Sequence, residues 1–364
     1  MPIVPPYVET LMPYVPGKPI EEVEREYGVS NVAKLASNEN ALGPSPRALA
    51  AAREAAAGIH LYPDGSAYQL RNALSAKLGV KPEEVFVANG SNEIIDLLVQ
   101  TFVLPGEEVL TSAKTFVAYK LAAQKNGRAL VEAPMKAQFH YDLDAIRAKL
   151  SPRIKLVFLA NPDNPTGTWF LENELVRFLD AVPPETLVAL DEAYVEYVDA
   201  AGYQDSLALR RRYPNLVVIR TFSKIYGMAG FRLGYGIARP ELCGYVERVR
   251  MPFNTNLLAQ AAGVAALGDE EHVKRSRALV QSERPFLAAG LAALGATVVP
   301  SQGNFVLADF PGRPGKELFE ALLRLGVVVR PVGGYGFPTA QRITTGTRAE
   351  NEKCLAALRK VLGQ

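Results

Sequence analysis

The sequence predicts an α/β protein with two parts: a large unit on a mainly parallel sheet, and a smaller α+β unit after it. Three observations carry this. From Glu108 onward, short apolar runs alternate with helical stretches, the pattern of a parallel sheet with helices on its faces. One of these runs, Ile154 to Ala160 (IKLVFLA), is continuously apolar and so calls for cover on both sides. After Leu242 the alternation gives way to long alanine- and leucine-rich helical segments and then to a few further strands.

Taken in order, the first forty residues are irregular and rich in proline, with an extended arm through Tyr14 to Pro19 and a short helix over Ile20 to Tyr27. The polar loop Leu35 to Asn40 leads through Gly43-Pro44-Ser45-Pro46 into a helix over Arg47 to Ala57. Leu61-Tyr62-Pro63-Asp64-Gly65 is a turn, followed by a helix over Ala67 to Leu78. Val85 to Ala88 is a strand that runs through Asn89-Gly90-Ser91-Asn92 into an apolar helix ending at Phe102. Further strands are expected at Val109 to Ser112, Ala129 to Ala133, Ile154 to Ala160, Thr186 to Leu190, Leu216 to Arg220 and Arg232 to Ile237. Helices are expected between them at Phe116 to Asn126, Leu143 to Leu150 and Glu172 to Ala181. Long helices follow at Leu257 to Leu267 and His272 to Leu294. Strands at Asn304 to Leu307, Val327 to Arg330 and Arg342 to Thr345 then alternate with helices over Lys316 to Leu325 and Glu350 to Leu362. The corresponding division places an N-terminal arm and part of the small domain in 1–45, a large domain in 46–265 and the rest of the small domain in 266–364.

Composition narrows the function. The 364 residues are 48% hydrophobic and 21% charged, an ordinary globular balance, and the formal net charge of +2 argues for neither nucleic acid nor an anionic membrane as partner. The cluster Arg210-Arg211-Arg212 reads as a solvated helix end. Two distant cysteines and three scattered histidines form no disulfide framework and no metal motif. The N-terminal residues lack a basic stretch followed by an apolar core, and no apolar run is long enough to span a bilayer, so a cytoplasmic protein is expected.

The conspicuous polar residues fall at the C-terminal ends of the expected strands, where open parallel sheets bind ligands. Asn92 follows one strand, Asn161 and Asn164 the next, Asp191 and Tyr194 another, and Lys224 the last. Each alone has a plain structural reading: Lys224 as a loop lysine, Asp191 as a turn or cap, Asn164-Pro165-Thr166-Gly167 as a turn. Together they match the needs of pyridoxal phosphate. A desolvated lysine, here Lys224, can hold the aldehyde as a Schiff base and later act as a base. A buried carboxylate, Asp191, keeps a proton on the ring nitrogen. Tyr194 and Asn164 can donate to the phenolate oxygen. The phosphate suits the helix start at Ser91 and Asn92, with Ser223 and Arg232 closing around it.

Asn161-Pro162-Asp163-Asn164-Pro165-Thr166-Gly167, Asp191-Glu192-Ala193-Tyr194 and Ser223-Lys224 with Arg232 stand in the order of the fold-type I pyridoxal phosphate aminotransferases of the class I/II group, which this chain resembles over nearly its whole length. Leu35 to Asn40, Leu61 to Gly65, Val329-Arg330-Pro331 with Gly334-Tyr335-Gly336, and Arg342 to Thr347 are most similar to the histidinol-phosphate aminotransferases within it. The resemblance implies a mainly parallel seven-stranded sheet, a homodimer with shared sites, and small-molecule substrates exchanging an amino group with 2-oxoglutarate. It implies that Thr221 touches the cofactor and that Tyr62 reaches the cofactor phosphate of the other subunit. Arg342 would grip the substrate α-carboxylate, Arg330 with Tyr14 would face the far end of the substrate, and Asn38 and Asn164 would join them. One departure is Phe116 at the ring-stacking position, where tyrosine is common; stacking needs only the aromatic face. An aromatic amino acid aminotransferase and a threonine-phosphate decarboxylase fit the same scaffold, and a cofactor-sensing binding protein is the reading from a different class.

Overall fold

The structure is a computed structural model and describes residues 3–11 and 17–364. Its centre is a seven-stranded sheet of β1 (Val85–Ala88), β2 (Glu108–Ser112), β3 (Ala129–Ala133), β4 (Ile154–Ala160), β5 (Leu187–Asp191), β6 (Leu216–Thr221) and β7 (Gly234–Ile237). The spatial order is β1-β7-β6-β5-β4-β2-β3, with β7 antiparallel to both neighbours and the other pairs parallel. This is the mainly parallel α/β architecture expected from the alternation. β4 and β5 are buried almost throughout, because helices cover both faces and apolar side chains are needed on each.

A second, antiparallel sheet has the order β10-β11-β9-β8, formed by β8 (Thr297–Val299), β9 (Phe305–Asp309), β10 (Arg330–Pro331) and β11 (Ala340–Thr344). The single strand expected over Val327 to Arg330 is two: Val327–Val328 pairs in parallel with Ala33–Lys34, whereas Arg330–Pro331 pairs with β11. The polar loop after Lys34 is thereby tied to the C-terminal part of the chain, where Leu35 O accepts from Thr344 N at 2.8 Å. Helix Glu270–Ala293 joins both hydrophobic clusters, giving Val280 to the cluster around the large sheet and Leu287 and Leu291 to the one around the small sheet.

Two expectations are corrected. The arginine cluster is not a uniformly solvated helix end. Arg210 turns inward, is 5% exposed and pairs with Glu84 at 2.8 Å, while Arg211 and Arg212 stay in water. Successive helical residues point about 100° apart, so three adjacent arginines cannot share one face. Arg232 does not open a strand. It ends a short 3-10 turn over Ala229–Phe231 with φ of 59°, and β7 begins at Gly234. Among the described residues no helix is long and apolar enough to cross a membrane.

Candidate active site

The C-terminal ends of β4, β5 and β6 lie side by side because their registers are matched: Ala160 pairs with Asp191, and Asp191 with Ile219. The loops leaving these strands carry Asn164, Tyr194 and Lys224 into one cavity of about 250 Å³. From the large-sheet side Ser91, Asn92, Phe116, Asp191, Thr221, Ser223 and Arg232 line it. Asn38, Arg330 and Arg342 line it from the elements around the small sheet.

Helix α1 (Ser91–Phe102) starts immediately after β1, and its first turn offers unpaired backbone N–H groups at the positive end of the helix. Two glycines make the approach possible. A Cβ on Gly90, whose φ is 85°, would collide with the Arg232 guanidinium, and a Cβ on Gly234 would lie 2.6 Å from the Ser91 nitrogen. The left-handed backbone of Arg232 thus brings its side chain against the helix start, where Nη1 donates to Ala229 O at 3.0 Å and reaches Ser223 Oγ at 3.5 Å. Thr221 Oγ1 accepts from Ser223 N at 3.1 Å and holds the turn that carries Lys224. Two helix-start amides, a hydroxyl and a guanidinium form a cradle for a phosphate dianion.

Lys224 is half-buried; its Nζ donates to Ser37 O at 3.2 Å and lies 5.6 Å from the centre of the Tyr194 ring. Burial foremost, then the positive charge of Arg342, hold its pKa down to about 8. At pH 7 about one such lysine in ten is neutral, against about one in three thousand at the ordinary value. Asp191 is 4% exposed, and burial pushes its carboxyl up to about 6. Oδ1 accepts from Ala193 N at 3.1 Å and Oδ2 from the Tyr119 hydroxyl at 2.9 Å, so the group is still mostly ionised at neutral pH. The Tyr194 oxygen accepts from Asn38 Nδ2 at 3.0 Å, which leaves its own proton to donate, and burial raises this phenol to about 12. Asn38 is itself held at φ of 53°, with its backbone N–H on Thr344 Oγ1 at 2.9 Å. Arg342 donates to Asn164 Oδ1 at 2.6 Å and to Ala36 O at 2.5 Å, so the amide NH2 is what Asn164 can offer a ligand.

One residue assigned from the resemblance, Tyr62, does not line this cavity. Tyr62 is 82% exposed and stacks on Phe253 at 4.7 Å. Tyr14 lies outside the described residues. Two further groups belong to the site and have no role assigned from the sequence. Tyr119 lines the cavity beneath Phe116 and holds Asp191. Asp163 is fully buried and accepts from Thr115 at 2.5 Å and Thr166 at 2.7 Å, tying the loop before Phe116 to the loop of Asn164. Asp163 stands inside the Asn161 to Gly167 stretch, and a carboxylate between Pro162 and Asn164 in that proline-rich turn is the available signal. For Tyr119 there is none beyond its place three residues after Phe116.

A family profile described as aminotransferase class I and II matches residues 30–358. The chain belongs to the class I and II aminotransferases. It is 78% identical over 363 residues to a histidinol-phosphate aminotransferase of Anaeromyxobacter sp. strain Fw109-5, covering 100% of both chains. It is 49% identical over 354 residues to one of Moorella thermoacetica, covering 97% of this chain and 91% of that one. Its fold is similar to the crystal structure of histidinol-phosphate aminotransferase from Sinorhizobium meliloti in complex with pyridoxal-5'-phosphate, with a TM-score of 0.91 and 30% identity over 100% of this chain and 98% of that one. Membership of the family makes the chain an enzyme, an aminotransferase.

The lysine can be tested without any cofactor. In the cofactor-free protein, the rate at which an amine-selective acylating reagent labels Lys224 should rise with a midpoint near pH 8. Arg342→Gln should move that midpoint upward, because it removes the largest charge acting against the ammonium. A midpoint near the ordinary lysine value in the unsubstituted protein would contradict a lysine depressed by burial and by Arg342.

Proposed function

We propose that this chain is a pyridoxal phosphate-dependent aminotransferase acting between L-histidinol phosphate and 2-oxoglutarate, in the cytoplasm. The observation that carries this reading is the pairing, in one cavity, of a lysine held near pH 8 with a buried carboxylate and a phosphate cradle. The 78% identity over the whole chain to a histidinol-phosphate aminotransferase supports the choice of substrate.

The residues fit the cofactor. Ser91, Asn92, Thr221, Ser223 and Arg232 would hold its phosphate, Phe116 would cover its ring, Asp191 would face its ring nitrogen, and Asn164 and Tyr194 would donate to its phenolate oxygen. When bound, pyridoxal phosphate supplies an aldehyde that reacts with amines and a protonated ring that takes up the electrons of a deprotonated carbon. The protein does the rest. Lys224 is neutral often enough to act as a nucleophile, and as a displaced free amine it can take a proton from the substrate's amine-bearing carbon. Asp191 stays ionised enough to hold a proton on the nitrogen before it.

Arg342 would take the α-carboxylate of 2-oxoglutarate as a two-pronged partner. Histidinol phosphate has no carboxylate, and its phosphate hangs next to the amine-bearing carbon. That phosphate would fall within reach of Arg342, and Arg330, directly across from it on the paired strand, would add a second guanidinium there rather than at the far end of the substrate. With 2-oxoglutarate as acceptor, kcat/KM for histidinol phosphate should exceed that for phenylalanine by about tenfold or more, because a phosphate dianion offers the two guanidinium groups more charge and more acceptor oxygens than the single carboxylate of phenylalanine does. A preference for phenylalanine would overturn the substrate assignment.

A homodimer belongs to the same proposal. Ile59, Leu61, Tyr62, Tyr68, Met251 and Phe253 are exposed apolar or aromatic side chains, with Tyr62 against Phe253, and an apolar surface of this kind suits a second copy of the chain. Such a copy would bring each Tyr62 toward its neighbour's phosphate cradle. Sedimentation should give a dimer for the unsubstituted protein and a shift toward monomer for Phe253→Glu. A monomeric unsubstituted protein at micromolar concentration would rule the dimer out.

A further inference from the structure

We propose that Tyr119 is a positioning residue that acts on the cofactor's ring nitrogen through Asp191. This role rests on the binding of pyridoxal phosphate proposed for the cavity and adds a residue to it.

Tyr119 sits on helix α2 (Val117–Lys125), close to its start, and is fully buried. Its ring is clamped from two sides: it stacks on Phe158 of β4 at 4.7 Å with the planes 6° apart, and Phe116 meets it edge-on at 5.7 Å. A phenol held this way has little rotational freedom, and its hydroxyl is aimed at one acceptor, Asp191 Oδ2 at 2.9 Å. Core packing alone would need no hydroxyl there, and phenylalanine would fill the same stack.

The carboxylate is otherwise poorly supported. Among the described residues its other oxygen has a single donor, Ala193 N, at 3.1 Å. With one donor on each oxygen, both oxygens are fixed in orientation and both keep acceptor capacity. Asp191, Tyr119 and Ala193 all line the cavity, so that spare capacity is available to a ligand. A donor to a carboxylate also favours its ionised form. Loss of the hydroxyl would leave a buried carboxylate that takes up a proton more readily and is free to turn. A protonated carboxyl holds a protonated ring nitrogen far less well than a carboxylate does.

Tyr119→Phe keeps the aromatic stack and deletes only the hydroxyl. The measurement is the equilibrium dissociation constant of pyridoxal phosphate from the reconstituted protein, followed by absorbance. It is set beside the constant for the analogue in which the ring nitrogen is replaced by carbon. The substitution should weaken the natural cofactor about tenfold, the scale of a hydrogen bond to a charged group, and leave the carbon analogue within about twofold. In the background of Asp191→Asn, where the charge is already gone, the same substitution should have little further effect on the natural cofactor. Equal weakening of both ligands would mean that the hydroxyl only supports packing, and no weakening of either would mean that it does nothing; each overturns the proposal. Failure of the unsubstituted protein to bind pyridoxal phosphate would overturn the cofactor reading itself, a different result from either.

Discussion

The matched register of three parallel strands is the constraint from which the site follows. Ala160, Asp191 and Ile219 stand in line across β4, β5 and β6, so the next residues of each chain segment leave the sheet at the same edge. Loops emerging there have no alternative but to share one cavity. A slip of two residues in β5 would carry Asp191 about 7 Å along the strand and out of reach of the Tyr119 hydroxyl. The buried apolar run Leu156 to Ala160 of β4 opposes slipping, since Lys155 or Asn161 would otherwise be displaced along a core closed on both sides.

The same burial that fixes the frame makes the charges it encloses costly. Holding Asp191 ionised and Lys224 protonated in these surroundings costs about 3 kcal/mol each near neutral pH. For Asp191, whose pKa is raised on folding, the cost is present above about pH 6 and fades as pH falls toward the ordinary carboxylate value. For Lys224, whose pKa is lowered, the cost is present below about pH 8 and fades as pH rises toward the ordinary lysine value. Both act together between those limits. A ligand that brings a proton-bearing nitrogen to the carboxylate and consumes the lysine's charge relieves both, so binding and chemistry draw on one source of instability. The helix start at Ser91 and the Arg232 guanidinium work in the opposite sense, because both favour negative charge in the same cavity.

Much of this was legible in the sequence, for a physical reason. Parallel sheets need apolar strands and expel polar residues to their ends, so Asn164, Asp191, Tyr194 and Lys224 advertise the binding edge in chain order. What was hidden depended on direction rather than on spacing. Tyr119 reads as one more aromatic on a helix, and only the stack on Phe158 shows its hydroxyl turned toward Asp191. Arg210 lies inside a run of arginines that looks uniformly solvated until helix rotation buries one of the three. Arg232 follows apolar residues and precedes a strand, and nothing short of the backbone angles tells that it occupies a left-handed turn against Gly90. Asn38 reads as a substrate ligand in the sequence; the structure shows in addition that its amide donates to the Tyr194 oxygen, which no spacing in the sequence announces.

If the electrostatics and the cradle act as described, one lysine and no other makes the covalent link to the aldehyde of pyridoxal phosphate. The direct measurement is to incubate the protein with one equivalent of pyridoxal phosphate at pH 8, reduce with borohydride, digest, and map the modified peptide by mass spectrometry. The phosphopyridoxyl group should be found on Lys224 alone. Label spread over surface lysines, with Lys224 unmodified, would contradict it.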